Sequence, residues 1–439
     1  MARTRRHPPL HVYQNDRLVG HLLKEPNGAI EFRYDREWLD RGSKAFPVSL
    51  SLPLREEPWR GEPVVAVFEN LLPDSEALRQ RVAGKVGAAG DDAYSLLSAI
   101  GKDCVGALQF IADEEARPGS TTRLQGEVVD DEAIERLLGS LSRAPLGLTR
   151  DDDFRISIAG AQEKTALLWH EGQWIKPHGT TPTTHLFKTP IGALPNGIDL
   201  ADSVENEFHC LQLLRHLGLP VASARIMTFG RAKALVIERF DRAWIEGRLI
   251  RLPQEDCCQA LSVPPARKYQ ADGGPGLLAI AGLLNGADSP ADDHRTLLKA
   301  QLVFWLIGAT DGHAKNFSIF LNPGGGYALT PLYDVLSAQP SLDAHQIERR
   351  QMKLAMSVGD NNHSRIDQVQ TRHFVQTGEA AGLSRILVRR ALEEIADHMD
   401  AALTALESDL PTDFPQDLHE SVKAGVQRRM RTLRLGLDQ

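Results

Sequence analysis

Asp311 and Asn316 stand five residues apart in Thr310-Asp-Gly-His-Ala-Lys-Asn316, directly after a strongly apolar run, and a second acid, Asp334, follows in Leu332-Tyr-Asp-Val335. A carboxylate can orient a hydroxyl group and accept its proton. A neutral amide oxygen and a second carboxylate are hard donors that suit Mg²⁺. Protein kinases combine these types at the same spacing, with a metal-holding aspartate further along the chain. The pattern predicts phosphoryl transfer. Taken alone the spacing arises easily by chance, and a capped turn, with Asp-Gly bending the chain and Asn bonding locally, satisfies it equally. Its company favours chemistry: His313 and Lys315 lie between the pair, and a β-like stretch over 317–321 follows. Asn322-Pro-Gly-Gly-Gly326 suits a hairpin return that brings Asp334 back beside Asn316.

A second constellation is Ser157-Ile-Ala-Gly-Ala-Gln-Glu-Lys164. Its small residues, Ser157, Ala159, Gly160 and Ala161, would let backbone N–H groups approach phosphate oxygens. It is neither a Walker A loop nor Gly-x-Gly-x-x-Gly, and a plain strand–turn–strand hairpin fits it as well. Lys188 ends a β-like run, where a strand lysine can reach nucleotide phosphates; an isolated lysine in that place is ordinarily solvated. Glu205 or Glu207, on the helix that follows, could pair with it or lie on a solvated face. Residues 234–242 form an apolar strand running into charge. That suits either a backbone that hydrogen-bonds adenine or an edge strand.

These residues need elements to position them. At 439 residues two or three domains are expected, and 42% hydrophobic with 25% charged residues excludes a largely disordered chain. A net charge of −8 argues against unaided nucleic-acid binding, although both termini are locally basic. The four cysteines show no zinc spacing and read as free thiols of a cytoplasmic protein. No apolar run is long enough to span a membrane, so no membrane partner is expected. Residues 10–13, 18–23 and 29–34 read as a three-strand meander, and 46–54 as another strand punctuated by prolines. Residues 130–141 carry a helical apolar face, and the polar stretch 142–153 marks a boundary. Short strands are expected over 165–169, 185–188 and 234–239. A helix is expected from Ser203 to Gly218, with Pro220 behind it. From about 277 the pattern is mostly helical, with a core helix over 297–307 and surface helices over 383–406 and 418–435. The fold class is α+β: a β-rich N-terminal domain over 1–145, then a larger, mostly helical domain over 146–439, divided at about 276.

Together these blocks resemble the HipA toxin family, bacterial serine/threonine kinases of toxin–antitoxin pairs. Further matching blocks are Val67-Phe-Glu-Asn-Leu-Leu-Pro-Asp74, Pro182-Thr-Thr-His-Leu-Phe-Lys188, Tyr269 to Gly276 with its Asp-Gly-Gly-Pro-Gly core, and Leu410-Pro-Thr-Asp-Phe-Pro415. The resemblance implies a kinase-like C-terminal domain that uses ATP and Mg. Asp311 becomes the catalytic base, Asn316 and Asp334 the metal ligands, and Lys188 the phosphate-contacting lysine. Ala159, Gly160, Ala161, Gln162, Glu163 and Lys164 become the phosphate loop. Glu238, Arg239 and Phe240 would hold adenine, and His313 and Tyr333 would line the nucleotide site. Ser157 matches the family's autophosphorylation site. The implied partners are a helix-turn-helix antitoxin dimer, operator DNA through that antitoxin, and an aminoacyl-tRNA synthetase as protein substrate, with glutamyl-tRNA synthetase the family's best-known target. A small-molecule kinase, or a non-catalytic corepressor of the antitoxin, are the alternatives.

Overall fold

The computed structural model describes residues 7–112, 124–148, 156–159 and 162–438. They gather into two compact units, each built from separate stretches of chain. One takes the described residues of Met1–Thr189, Met227–Ala266 and Ser318–Tyr327; the other takes Pro190–Ile226, Arg267–Phe317 and Ala328–Gln439. The first unit therefore draws on both sides of position 145.

The first unit holds two larger antiparallel sheets beside short two-strand pairings such as Arg242–Ile245 with Arg248–Arg251. In the first, Leu10–Gln14 lies between Arg17–Lys24 and Leu108–Ala112, and Ile30–Tyr34 extends the sheet beyond Arg17–Lys24. The expected meander is present. Asn15 turns its first hairpin at φ +55°, a left-handed conformation that asparagine tolerates better than most residues. Helices Glu62–Glu69 and Ala93–Ile100, which the sequence reading did not pick out, cover one face of this sheet. There Phe32, Phe68, Leu97 and Phe110 are fully or almost fully buried.

The second sheet runs Ala224–Phe229, Ala232–Glu238, His185–Lys188, Lys164–His170, Gln173–Pro177, Gly126–Val129. Helix Asp131–Ser140, capped by the Asp130 side chain on Ala133 N, lays Ile134 and Leu138 onto Leu167, Phe187 and Val236 of this sheet. Its apolar spacing was legible as a helix and forms one.

Residues 46–54 are not a strand. Pro47 and Pro53 have no N–H to give a ladder, and the residues between them bond elsewhere. Val48 N donates to the Tyr34 hydroxyl at 2.9 Å, and Leu50 N to Glu255 Oε1 at 2.7 Å. The stretch forms turns clamped by side chains.

The same unit buries a cluster of ions. Asp103 Oδ1 accepts from Arg242 Nη2 and Arg251 Nε, both at 2.9 Å. Its Oδ2 accepts from Thr183 N at 3.0 Å, Thr183 Oγ1 at 2.7 Å and Arg239 Nη1 at 3.3 Å. Asp241 takes Arg239 Nη2 at 2.8 Å and Gly106 N at 2.7 Å. Burial alone would raise the Asp103 carboxyl, but the guanidinium groups of Arg242, Arg251 and Arg239 outweigh it and hold the acid far below the usual carboxylate range.

The second unit is mostly helical. Helix Pro290–Ile307 is buried from Leu302 to Ile307 and is contacted by Arg385–Asp409, Gln416–Leu437, Thr371–Ala380 and Leu277–Leu284. Each buried Leu, Ile, Val or Phe on such a face contributes roughly 1.5–3 kcal/mol. Helix Arg385–Asp409 lies less on the surface than expected: Val388, Leu392, Ile395, Met399, Leu403 and Leu406 form one buried stripe. The basic C-terminal segment is partly internal too. Arg429 Nε donates to Leu306 O at 2.8 Å and its Nη1 to Gln339 Oε1 at 2.9 Å. Helix Ser203–His216 ends as its sequence indicates, with Gly218 at φ +75°. All four cysteines are free and buried. Among the described residues no helix is long and apolar enough to cross a membrane.

Candidate active site

In the second unit the site begins where helix Pro290–Ile307 stops. Gly308, at φ +75°, caps the helix by donating to Phe304 O and Trp305 O and turns the chain into the loop that carries Asp311. The loop lies flush on the helix: a Cβ on Gly312 would meet the Phe304 ring at 2.6 Å. Residues 312–317 are buried, whereas Asp311 itself is exposed. His313 N donates to Asp311 O at 2.8 Å, and Asn316 N to His313 O at 2.9 Å, so the loop folds back on its own backbone.

The second acid arrives on a segment tied down at both ends. Leu332 N donates to Pro220 O at 2.8 Å, and Ala222 N donates to Leu332 O at 2.9 Å. Beyond it, Ser337 N donates to Asn206 Oδ1 and Asn206 Nδ2 to Ser337 O, each at 2.8 Å. Between these anchors Asp334 adopts φ +59°. That left-handed conformation is uncommon for a residue with a side chain and concentrates at functional sites.

Asn316 joins the two acidic segments. Its Nδ2 donates to Asp311 O at 2.8 Å and to Asp334 O at 3.4 Å. Two carbonyl acceptors on one side fix which end of the amide is nitrogen, so Oδ1 faces away from them as an acceptor. This is the orientation a metal-binding amide needs. An amide oxygen and a carboxylate, such as Asn316 and Asp334 carry, are oxygen donors of the kind Mg²⁺ takes. Among the described residues no group of three or more His, Cys, Asp or Glu assembles that could hold a metal ion by itself.

Around the acid, Tyr269 Oη donates to Asp311 Oδ1 at 2.6 Å, and its ring meets His313 edge-on at 4.8 Å. Burial lowers the His313 imidazole below its ordinary value, with Asp311 pulling the other way, and His313 Nδ1 has no partner among the described residues. Tyr333 Oη donates to Lys315 O at 3.0 Å. The second unit thus brings together Asp311, His313, Asn316, Tyr333 and Asp334.

The first unit holds Ser157, Lys188, the described residues of 159–164 and residues 238–240, whereas Glu205 and Glu207 lie in the second. Lys164 and Lys188 sit opposite each other in paired strands, both buried, and Lys164 Nζ donates to Ala159 O at 2.8 Å. Gln162 Nε2 donates to Thr189 O at 2.7 Å, and Glu163 lies 3.5 Å from Arg81. Gly160 and Ala161 lie outside the described residues. Ser157 is fully buried, its Oγ donating to Leu71 O at 2.7 Å and its N–H to Asp103 O at 3.0 Å. Glu238 is exposed at the end of its strand, and Phe240 meets Phe320 edge-on at 5.8 Å. The buried ion cluster engages the Arg239 guanidinium, and the Arg239 backbone N–H donates to Thr184 O at 2.9 Å.

Residues 10–111 match the family model described as the HipA N-terminal domain, and residues 156–404 match that of the HipA-like C-terminal domain. The chain belongs to the HipA family. It is 33% identical over 406 residues to the protein "Putative kinase Y4mE" of Sinorhizobium fredii, covering 91% of this chain and 92% of that one. It is 28% identical over 417 residues to the serine/threonine-protein kinase toxin HipA of Shewanella oneidensis, covering 92% and 90%. Among solved structures it is similar to HipA in a complex with HipB and operator DNA from Shewanella oneidensis, with TM-score 0.80, 25% identity and coverage of 98% and 99%. The HipA likeness extends to the α+β architecture and to the enzyme class, a protein serine/threonine kinase.

In this HipA-family chain, sequence reasoning placed Tyr269 in a matching block but gave it no role, and it missed the Asp103 cluster. Tyr269 lies 42 positions from Asp311, and Arg239 lies 136 from Asp103, so no local pattern links them. The run Glu238-Arg-Phe-Asp-Arg242 was the one available signal: so many charges directly after a buried strand call for internal partners. Glu205 and Glu207 are buried on their helix, so the solvated-face alternative does not hold for either.

Proposed function

We propose that the chain is an ATP- and Mg-dependent protein kinase toxin that arrests growth by phosphorylating an aminoacyl-tRNA synthetase, with glutamyl-tRNA synthetase the first candidate. The observation that carries the reading is the Asn316 amide, bonded to the backbones of both Asp311 and Asp334. It ties the loop that carries the exposed Asp311 to the segment that carries Asp334.

In this reading Asp311 takes the proton of the acceptor serine hydroxyl while the serine oxygen bonds to the γ-phosphorus. The bond to the bridging oxygen breaks, ADP leaves, and the acceptor carries the phosphate. Mg²⁺, when bound by Asn316 Oδ1 and Asp334, supplies positive charge against the phosphates. The phosphate contacts are assigned to Lys188 and residues 159–164, the adenine contact to the backbone around 238–240, and the walls of the nucleotide site to His313 and Tyr333. Labelled ATP with purified synthetases and the Asp311→Asn variant tests this. Label in one synthetase with wild type and none with the variant is expected; no label in any synthetase sinks the assignment of substrate.

Autophosphorylation at Ser157 serves as the off switch. The burial of Ser157 supports it, because a phosphate carrying about −1.5 to −2 charges cannot return to the space beneath Leu71. The modified segment must stay out, where it can no longer hold the nucleotide phosphates. Phospho-Ser157 protein that binds ATP as tightly as unmodified protein would refute the switch. The Shewanella relative, solved with HipB and operator DNA, supports a helix-turn-helix antitoxin dimer as partner and operator DNA reached through it. The net charge of −8 also disfavours direct DNA binding. The cytoplasm is the compartment in which these partners meet.

A further inference from the structure

The hydrogen bond from Tyr269 to Asp311 belongs to no role derived so far. We propose that Tyr269 is a positioning residue for the base: its hydroxyl holds one carboxylate oxygen of Asp311 and turns the other toward the acceptor hydroxyl. The inference rests on the reading of Asp311 as the base.

Three observations carry it. The bond is short, 2.6 Å, and it meets the only exposed residue of an otherwise buried loop. An exposed aspartate side chain samples several rotamers, and a bond to one oxygen selects among them. Second, Tyr269 is itself held firmly. Asp272 N and Gly274 N both donate to its carbonyl, at 3.1 and 2.9 Å, closing a tight turn. A Cβ on Gly274 would lie 1.9 Å from Arg267 O, so only glycine permits this turn. The next residue, Gln270, accepts from Ser357 N at 2.7 Å and Ser357 Oγ at 3.0 Å, which ties the turn to strand Lys353–Val358. Third, the ring is braced on one side by His313, edge-on at 4.8 Å, and the Lys268 ammonium lies 5.3 Å from its centroid. The hydroxyl is thus delivered from a fixed backbone through a fixed ring. It engages Oδ1, and Asp311 Oδ2 is left available for a substrate proton.

The test is Tyr269→Phe, which keeps the ring on His313 and removes only the hydroxyl. Transfer of labelled γ-phosphate, into the protein itself and into purified glutamyl-tRNA synthetase, is followed alongside thermal unfolding. A hydrogen bond to a charged group supports an expected fall in kcat of about tenfold or more. KM for ATP should stay within about twofold, since only an interaction on the transition-state side is removed. The unfolding midpoint should not move. Gln270→Ala, which loosens the anchor and leaves the hydroxyl in place, should give a smaller loss of kcat in the same direction. Unchanged kcat in Tyr269→Phe overturns the proposal, as does a loss carried by KM for ATP or by a lowered unfolding midpoint. A raised kcat also overturns it, because the hydroxyl would then be blocking the base. Asp311→Asn run in parallel separates the two claims. An inactive Asp311→Asn beside a normal Tyr269→Phe removes this inference alone. An active Asp311→Asn removes the base and this inference together.

Discussion

In the first unit, Asp103 and Asp241 face Arg239, Arg242 and Arg251, and nearly every polar atom has a partner within hydrogen-bond distance. In the second unit, Asp311 is exposed with a single side-chain partner among the described residues, the His313 Nδ1 is buried and unpaired there, and Asp334 holds a left-handed backbone. Both regions concentrate acids, yet the Asp103 cluster is buried among its partners while Asp311 stands exposed. A closed cluster fixes the chain around it, because a buried charge without its partner is costly. An exposed acid on a fixed loop stays within reach of a substrate. That contrast, more than the presence of acids, separates a scaffold from a reactive site.

The sharpest way to break the contrast is Asp311→Asn. The side chain is exposed, so thermal unfolding should be unchanged, while loss of a general base should lower the transfer rate by about 10²- to 10⁴-fold. Stability loss equal to that of a core variant would place Asp311 with the scaffold. Next comes Asp103→Asn, which preserves shape but removes the charge beneath three guanidinium groups. Breaking a buried ion pair costs about 3–5 kcal/mol, readable as a lowered midpoint in denaturant unfolding. A cost below about 1 kcal/mol would mean that the cluster is not what holds the unit.

Much of the open site was legible because its parts lie close in sequence. The apolar run before Gly308, the Asp311 to Asn316 spacing and the glycine-rich return before Asp334 are local signals, and local signals survive in a sequence. The elements with one apolar face, such as Asp131–Ser140 and Pro290–Ile307, were readable for the same reason. The strand expected over 46–54 failed because its apolar residues were counted and its missing donors were not; Tyr34 and Glu255 supply the bonds that a ladder would have made. The Asp103 cluster was invisible because its partners come together only after the sheets form.

The second unit also buries a histidine pair that is not fully satisfied, since His209 Nδ1 has no hydrogen-bond partner among the described residues. His209 Nε2 lies 3.0 Å from His419 Nδ1, with Phe414 stacked at 6.0 Å and Glu407 and Lys423 beyond His419. Burial, and then the His419 ring, lower His209 from its ordinary 6.5 to about 3. The folded state therefore keeps His209 neutral where the unfolded chain takes up a proton, so stability declines as pH falls from 6.5 toward 3. At pH 5 this loss amounts to about 2 kcal/mol. Denaturant unfolding of wild type against His209→Gln at pH 7 and pH 5 reads it: the pH difference should shrink in the variant. An equal difference in both would assign the acid sensitivity elsewhere.

The smallest effect on stability discriminates best between the two regions, because at Asp334 stability and activity part company. Asp334 sits at φ +59°, where a side chain costs on the order of 1 kcal/mol and glycine costs little. Asp334→Gly therefore removes backbone strain while it removes the side chain's own contacts, and the two changes offset. Unfolding free energy should stay within about 1 kcal/mol of wild type. Phosphoryl transfer should collapse, since Asn316 Oδ1 would lose the carboxylate that completes its donor pair. At Asp103, stability and activity should fall together; at Asp334 only activity should fall. A variant that keeps its transfer rate, or one that unfolds as readily as Asp103→Asn, would make Asp334 a structural acid and leave the strain at that position without a use.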